Sequence, residues 1–528
     1  MVTAAAIPVR VRSAPPRTGI FKWMIAVSAA LGAMLEIVDT SIVNVALNDM
    51  QAALGATLSE IGWVVTGYAI ANVIILPLTA WLGYKYGKKR YFIFSLAMFT
   101  FASMLCGMAT SLHILIFARI FQGLCGGGLL AKAQTILFEN FPPEEQGTAQ
   151  GIFGVCAIAG PAIGPTLGGY ITTNLSWRWI FYVNVPLGIG AVIMATIFLP
   201  QDEEHEKDNN PVDWWGIILL VVAIGSLQTM LEQGQEDNWF ESPFIIALFV
   251  ASVVGGSLFI WRELNIKFPV VDLRVLRHRS LAAGSVFSAV LGMSLYGALF
   301  AVPIFAQQIL GYTSEDTGIL LFPSALASAF VMPLVGRLTK YIDGRVLIAI
   351  GGIILAIAIV MLAGINPSTG KEELYWPLII RGLGTPLMFL PLSLAAIGPL
   401  PKKDMPAATG IYNLTRQLGG SIGIALLTMI LSRREAFHRA VLVEKLGVSD
   451  VNVLDRVHLL TRAFQAKGFD ALTAKHAAYR ALDGIVSIQS AIMSFEDMFH
   501  LVAVFIIISL PLVIFLGKAK GKAPAGGH

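Results

Sequence analysis

Charge is scarce in this chain. Asp, Glu, Lys and Arg make up 13% of its 528 residues, against 56% hydrophobic. A soluble domain of this length needs a charged, solvated surface, so that class is excluded. Cysteine is nearly absent as well. Cys106, Cys125 and Cys156 fall in apolar stretches without metal-ligand spacing, which leaves neither a disulfide framework nor a metal site. No Walker loop, no Rossmann glycine pattern and no nucleophile–base constellation is visible. The expectation is therefore a protein that is not an enzyme and carries no cofactor. A net charge of +4 gives no reason to expect nucleic acid. The N-terminus lacks a short apolar core with a cleavage site, so its first apolar run is expected to be a retained helix.

What the chain has in excess is apolar runs of about twenty residues, the length that spans a bilayer. Fourteen are expected, near 22–46, 61–82, 91–110, 113–138, 148–172, 179–199, 213–232, 242–261, 281–309, 316–339, 346–364, 374–398, 407–431 and 497–517. The fold class is thus an all-α polytopic membrane protein. Lys and Arg crowd the segments on the N-terminal side of the membrane, whereas the short loops opposite hold only Arg178 and Lys371. The positive-inside rule then puts both termini in the cytoplasm and the long loop 432–496 outside.

The chain also repeats itself. Phe141-Pro142, Ala149, Gly151-Ile152-Phe153, Gly160 and Gly164 return as Leu400-Pro401, Ala408, Gly410-Ile411-Tyr412, Gly419 and Gly423. Pro77-Leu78 returns as Pro333-Leu334. Such a parallel repeat divides the chain into two six-helix halves. The expected units are a cytoplasmic segment 1–21, a first half 22–200, and a linker with two inserted helices 201–262. A cytoplasmic connection 263–280, a second half 281–517 and a tail 518–528 follow.

Within this apolar chain, buried charges stand out. Glu36 and Asp39 lie in the first span and Arg119 in the fourth. Such groups require a partner, a proton or water, so these three are the expected proton-coupling residues. A purely structural ion pair is the alternative. Lys132, nearer a helix end, is expected to snorkel. Arg381 and Arg416 are buried charges for which structural and transport roles stay open. Tyr296, Phe300, Phe305, Gln307, Gln308, Met388 and Phe389 could line an apolar pocket with a few polar groups, joined by Asn44, Gln122 and Arg416. In the fifth span, Gly160, Gly164 and Gly168 share one helix face beside Pro161 and Pro165. Together with Gly154 and Gly169 they predict a bent, closely packed helix at a mobile interface.

Several of these stretches resemble one family. Val38-Asp39-Thr40-Ser41-Ile42-Val43-Asn44-Val45-Ala46-Leu47 resembles the first-span motif of the EmrB/QacA family, fourteen-helix drug:proton antiporters of the major facilitator superfamily. Asn48 replaces the motif's closing Pro. Arg119, Gln122 and Gly123 match the fourth-span motif. The Gly-Pro stretch 154–169 matches the antiporter motif, and Trp177-Arg178-Trp179-Ile180-Phe181 with Asn184, Pro186 and Gly188 matches the sixth-span signature. The loop after the second span departs from its motif, with Ala80 at the first Gly and Tyr84 at the Asp. Lys85, Gly87, Lys88 and Arg90 are kept in character and by resemblance form a cytoplasmic gate.

The long outer loop is similar to that of the EmrB branch. The resemblance implies a major facilitator fold with two inserted helices in the bacterial inner membrane. It further implies proton-driven export of hydrophobic or amphipathic drugs, working with a periplasmic adaptor and, through it, an outer-membrane channel. The proton gradient would be the energy source. Two other readings remain open, a lipid or metabolite exporter of the same fold and a non-transporting sensor or scaffold.

Overall fold

The structure is a computed structural model that describes residues 19–202, 211–364, 369–447 and 450–516. The extreme termini and most of the charged linker before the inserted pair lie outside the described residues. Among the described residues, fourteen helices are long and apolar enough to cross a membrane, and no strand occurs.

The first half comprises α1 (Ile20–Val45), a short α2 (Leu47–Leu54), α3 (Leu58–Tyr86) and α4 (Lys88–Met108). It continues with α5 (Leu112–Gly126), α6 (Leu129–Asn140), α7 (Pro143–Asn174), a one-turn α8 (Trp179–Tyr182) and α9 (Asn184–Phe198). The inserted pair is α10 (Trp214–Gln233) and α11 (Pro243–Asn265). The second half comprises α12 (Arg279–Gln308), α13 (Ser314–Leu338), α14 (Gly344–Ala363), α15 (Lys371–Ile397), α16 (Met405–Lys445), α17 (Val451–Ala466) and α18 (Ala471–Ser509). Thr57 and Glu60 form a capping box at the start of α3, and Thr313 with Asp316 does so for α13. The sequence repeat thus places the same cap at equivalent helices.

Two features differ from the sequence expectation, the break in the fourth span and the form of the outer loop. The fourth span is two helices, because Gly127 leaves helical geometry and Gly128 takes φ +71°, a left-handed conformation open to glycine. The fifth span is one helix, α7, with Pro161 and Pro165 inside it, as the sequence expects of a single span. The outer loop is largely an outgrowth of the membrane helices themselves. At 41 and 39 residues, α16 and α18 are roughly 60 Å long, twice the hydrocarbon thickness, so both project from the bilayer. Arg434 Nε and His438 Nε2 lie 2.5 and 2.7 Å from the same Asp497 oxygen and tie the projections together.

The halves meet through their repeated glycines. A Cβ placed at Gly151 of α7 would sit 3.5 Å from Pro333 Cα in α13. One at Gly410 of α16 would sit 3.8 Å from Pro77 Cα in α3. Both contacts lie towards the membrane face that carries the ends of the described chain. Nearby, Asn413 donates to Gln134 Oε1 at 2.7 Å, Lys402 donates to the Glu139 carbonyl at 3.3 Å, and Gly147 faces Gly336. That face is closed.

Candidate functional site

The centre of the first half is a dry ion pair. Arg119 Nη1 donates to Asp39 Oδ2 at 2.6 Å, with both side chains essentially inaccessible. Arg119 and Gln122 share one face of α5 at a spacing of three residues. Gln122 Nε2 donates to Asp39 Oδ1 at 3.1 Å, while its Oε1 accepts from Arg119 Nη1 at 2.7 Å. Asn184, at the start of α9, donates a third hydrogen bond to Asp39 at 2.8 Å. Arg119 Nε donates to the Val64 carbonyl at 3.1 Å, and the guanidinium lies 4.2 Å from the Tyr68 ring centroid. A charge pair without water persists only when the remaining donors and acceptors are matched in this way. Asn184 belongs to the sixth-span signature, but the sequence reading gave it no role. An amide at the head of an apolar helix was the available signal.

Glu36 lies one turn away and does something different. Its Oε1 accepts from Asn72 Nδ2 at 2.7 Å, and its Oε2 accepts from the Leu130 backbone N–H at 2.7 Å. Asn72 Oδ1 in turn accepts from Gly128 N at 3.3 Å. The break at Gly127–Gly128 exposes a new helix N-terminus inside the bundle, and Glu36 and Asn72 satisfy it. The two carboxylates of α1 therefore hold the two pieces of the fourth span, Asp39 through Arg119 of α5 and Glu36 through the backbone of α6. Lys132 is buried and does not snorkel. It donates to Ser95 Oγ at 2.6 Å and lies 4.1 Å from the Tyr91 ring centroid.

The glycine stripe of α7 packs against its own half. A Cβ at Gly160 would lie 2.6 Å from Ile37 Cγ2, and one at Gly164 would lie 2.7 Å from Ser41 Cβ and 2.9 Å from Ile42 N. At Gly168 the neighbour is Ile42 Cγ1, at 2.9 Å. Pro161 and Pro165 lie beside this stripe, and the Gly169 carbonyl accepts from Thr172. Gly154, one to two turns earlier, faces Met332 of the other half. One helix thus carries two glycine contacts, one across the interface and one onto the helix that bears Asp39.

The pocket residues named from sequence fall in several places, with Phe389 and Arg416 together. Asn44 and Gln307 are exposed, and Gln122 belongs to the Asp39 cluster. Tyr296 lies against Gly420, and Met388 lies near Gly352 of α14. Phe305 stacks edge-on against Phe495 at 5.3 Å. Phe389 lies 5.0 Å from the Arg416 guanidinium. The Phe300 side chain is outside the described set. At the loop after α3, Lys88 Nζ pairs with Glu139 at 2.6 Å and Lys85 lies over the Trp81 ring. Gly87 takes φ +91°, and Asp202 accepts from the Lys89 and Arg90 backbone N–H groups at 2.8 and 3.3 Å. A carboxylate from beyond α9 thus caps α4.

With this geometry in place, similarity to known proteins adds the family. A family model described as Major Facilitator Superfamily matches residues 29–424. The chain is 32% identical to the multidrug export protein EmrB of Escherichia coli K12 over 95% of this chain and 96% of that protein. It is 34% identical to EmrB of Haemophilus influenzae over 82% and 85%. A bacterial homologue of the lysosomal transporter Spinster, solved inward-facing and unoccupied, shares the fold with a TM-score of 0.53 at 14% identity. That likeness covers 96% of this chain and 100% of the other.

Proposed function

The chain belongs to the Major Facilitator Superfamily, and on that premise we propose that it is a proton-driven exporter of hydrophobic or amphipathic drugs. The observation that carries this reading is the buried Asp39–Arg119 pair, set on α1 and α5 beside the glycine break between α5 and α6. Ionised Asp39 requires Arg119 or a bound cation. Protonated Asp39 releases that requirement, and a neutral carboxyl crosses a dry intermediate at far lower cost. A proton and a drug that cannot occupy the site together are exchanged for one another. A proton moving through 100 mV supplies about 2.3 kcal/mol before any pH gradient. Protonation would release α5 while Glu36 keeps its hold on α6, so the glycines between them are where the motion would enter. That motion reaches the gate because α6 carries Gln134, the partner of Asn413 in the second half.

The reading places the protein in a bacterial inner membrane with both termini cytoplasmic, by the distribution of Lys and Arg. The face closed here is then the cytoplasmic one. The projecting helices α16, α17 and α18 lie outside and leave Val443, Val451, Leu459 and Leu472 exposed. We read this surface as the dock for a periplasmic adaptor, and through it an outer-membrane channel. The deciding measurement uses proteoliposomes with an imposed pH gradient. Asp39→Asn, which imitates the protonated state, should abolish gradient-driven efflux while folding is kept. Normal pumping by that variant would put the coupling site elsewhere.

A further inference from the structure

We propose that Glu232 and Gln228 of α10 form a second proton-binding site, outside the Asp39 cluster, whose proton holds the inserted pair against α16. This gives the two extra helices a part in proton coupling, a consequence that rests on the exporter reading above. Occupancy of the site by a proton can be measured without that reading.

α10 is in contact with both halves. It packs against α3 of the first and α16 of the second, which also meet each other. A Cβ at Gly225 would lie 3.5 Å from Ile74 Cδ1 of α3. Gln228 Nε2 donates to Ser421 Oγ of α16 at 2.9 Å. Just past the end of α10, Glu236 accepts from Ser59 Oγ, near the start of α3, at 3.2 Å. Glu232 comes four residues after Gln228 and four before Glu236, between a contact to one half and a contact to the other. It stands about 27 Å along α10 from Trp214, near the outer edge of the hydrocarbon.

The Gln228 amide is half satisfied. Gln228 is 1% exposed, and its Oε1 has no hydrogen-bond partner among the described residues. Its Nε2 donates to Ser421 and, at 2.8 Å, to Glu232 Oε1. A buried carbonyl oxygen left without a donor is costly. An ionised carboxylate beside it can only accept, so it offers no remedy. A protonated carboxyl donates as well as accepts. With a primary amide it makes two antiparallel hydrogen bonds, here its O–H to Gln228 Oε1 and Gln228 Nε2–H to its carbonyl oxygen. One proton thus completes the amide and removes a charge from the apolar bundle. With the proton bound, Gln228 is fixed between Glu232 and Ser421, and α10 is held to α16. With it gone, one of the bonds that orient the amide is lost and that hold weakens.

The charges on the neighbouring elements leave this carboxylate to the proton. α3 carries Glu60 and Lys85 at its two ends, and α11 carries Arg262 and Glu263 at the far, cytoplasmic end. Glu236, Asp237 and Glu241 of the outer loop are acids. On α16, Arg416 is engaged with Asn413 and Phe389, and the next basic residue is Arg433, on the projecting part. Among the described residues none of these pairs with Glu232, whose hydrogen-bond partner is Gln228. Asp39 differs in this respect, because Arg119 neutralises it directly.

The test uses the purified full chain in nanodiscs, and the probe is the proton itself. Infrared difference spectra between neutral and alkaline pH report the carboxyls that lose a proton. Wild type should show a protonated-carboxyl band that disappears at alkaline pH and is missing from Glu232→Gln. Gln228→Leu should shift the frequency of that band, because the carboxyl loses its partner. Thermal unfolding gives a second readout. A proton bound by the folded junction and not by the unfolded chain adds stability that is lost as pH rises. The Tm of wild type should therefore fall from neutral to alkaline pH by more than that of Glu232→Gln. A glutamine there repeats the acid–amide pairing without titrating, so the variant should fold. Identical infrared titrations for wild type and Glu232→Gln, an unshifted band in Gln228→Leu, or equal falls in Tm would each overturn the site. A Glu232 carboxylate that responds to sodium and not to pH would make it a metal-cation site and overturn it too. In proteoliposomes, transport by Glu232→Gln should depend less steeply on the pH gradient than transport by wild type, and an equal dependence would overturn its part in coupling. Absence of gradient-driven movement in wild type itself would instead count against the exporter reading and leave the proton site standing.

Discussion

Gly151 of α7 lies against Pro333 of α13, and the same pair recurs across the interface as Gly410 against Pro77. The sequence repeat is therefore also an interface repeat, in which each half offers a glycine to the other's proline. A Cβ at either glycine already reaches contact distance, so the further carbons of a leucine should push the halves apart on the closed face. Overpacking of this kind costs about 1–3 kcal/mol, which is about 5- to 150-fold in the population of the closed state. Gly151→Leu and Gly410→Leu should each raise the labelling rate of a reporter cysteine placed between α6 and α16. Labelling unchanged in both would mean that this contact does not set the gate.

Gly164→Leu should behave differently, because its neighbour is Ser41 on the helix that carries Asp39. The strain falls within the first half and separates α1 from α7. Transport should be lost without the increase in reporter labelling seen for Gly151→Leu. The comparison of efflux and labelling in one preparation checks this.

Breaking the ion pair from one side should be worse than removing both charges. Arg119→Ala leaves the Asp39 carboxylate buried without its cation and should lower stability by about 3–5 kcal/mol. The double variant Arg119→Ala, Asp39→Asn should recover a substantial part of that loss. Chemical unfolding in detergent, analysed as a double-mutant cycle, gives the coupling between the two.

For Glu36 the hydrogen bond matters more than the charge. Gln keeps a carbonyl oxygen for the Leu130 N–H but turns its NH2 towards Asn72 Nδ2, so Glu36→Gln should fold with the loss of one of the two hydrogen bonds and transport with a milder defect than Asp39→Asn. Glu36→Ala leaves that N–H unpaired inside the bundle and should lower stability by about 1–3 kcal/mol. Thermal unfolding of the two variants side by side separates the effects.

The inserted pair should loosen in acid. Burial at the head of α10 raises the pKa of Asp213, but its hydrogen bonds from Arg262 and from the Gly216 N–H outweigh this and hold the carboxyl below the ordinary aspartate range. A depressed carboxyl contributes stability above its unfolded pKa and loses it as pH falls through the folded one. Hydrogen exchange at the first turn of α10 should thus stay slow through mildly acidic pH and quicken only below the ordinary aspartate range. Asp213→Asn should exchange quickly at neutral pH.

The sequence by itself determined the number of membrane helices, the two halves with their insert, and the need for a partner at Asp39 and Arg119. These follow from quantities that accumulate along the chain: runs of apolar residues, a constant repeat offset, and the high cost of charge in hydrocarbon. It also placed glycine where helices meet, but not which helix each glycine meets. Gly151 and Gly164 lie on the same helix, and only packing sends one to the opposite half and the other to α1. The role of Glu36 was equally hidden. Its partner is a backbone N–H that becomes free only where Gly127 and Gly128 interrupt the fourth span, and no side chain announces it. Asn184 closes the Asp39 site from a helix 145 residues away. That Arg381 Nη1 has no hydrogen-bond partner among the described residues was likewise decided in three dimensions. A sequence shows that an arginine is buried, but whether a carboxylate reaches it depends on which helices the fold sets around it.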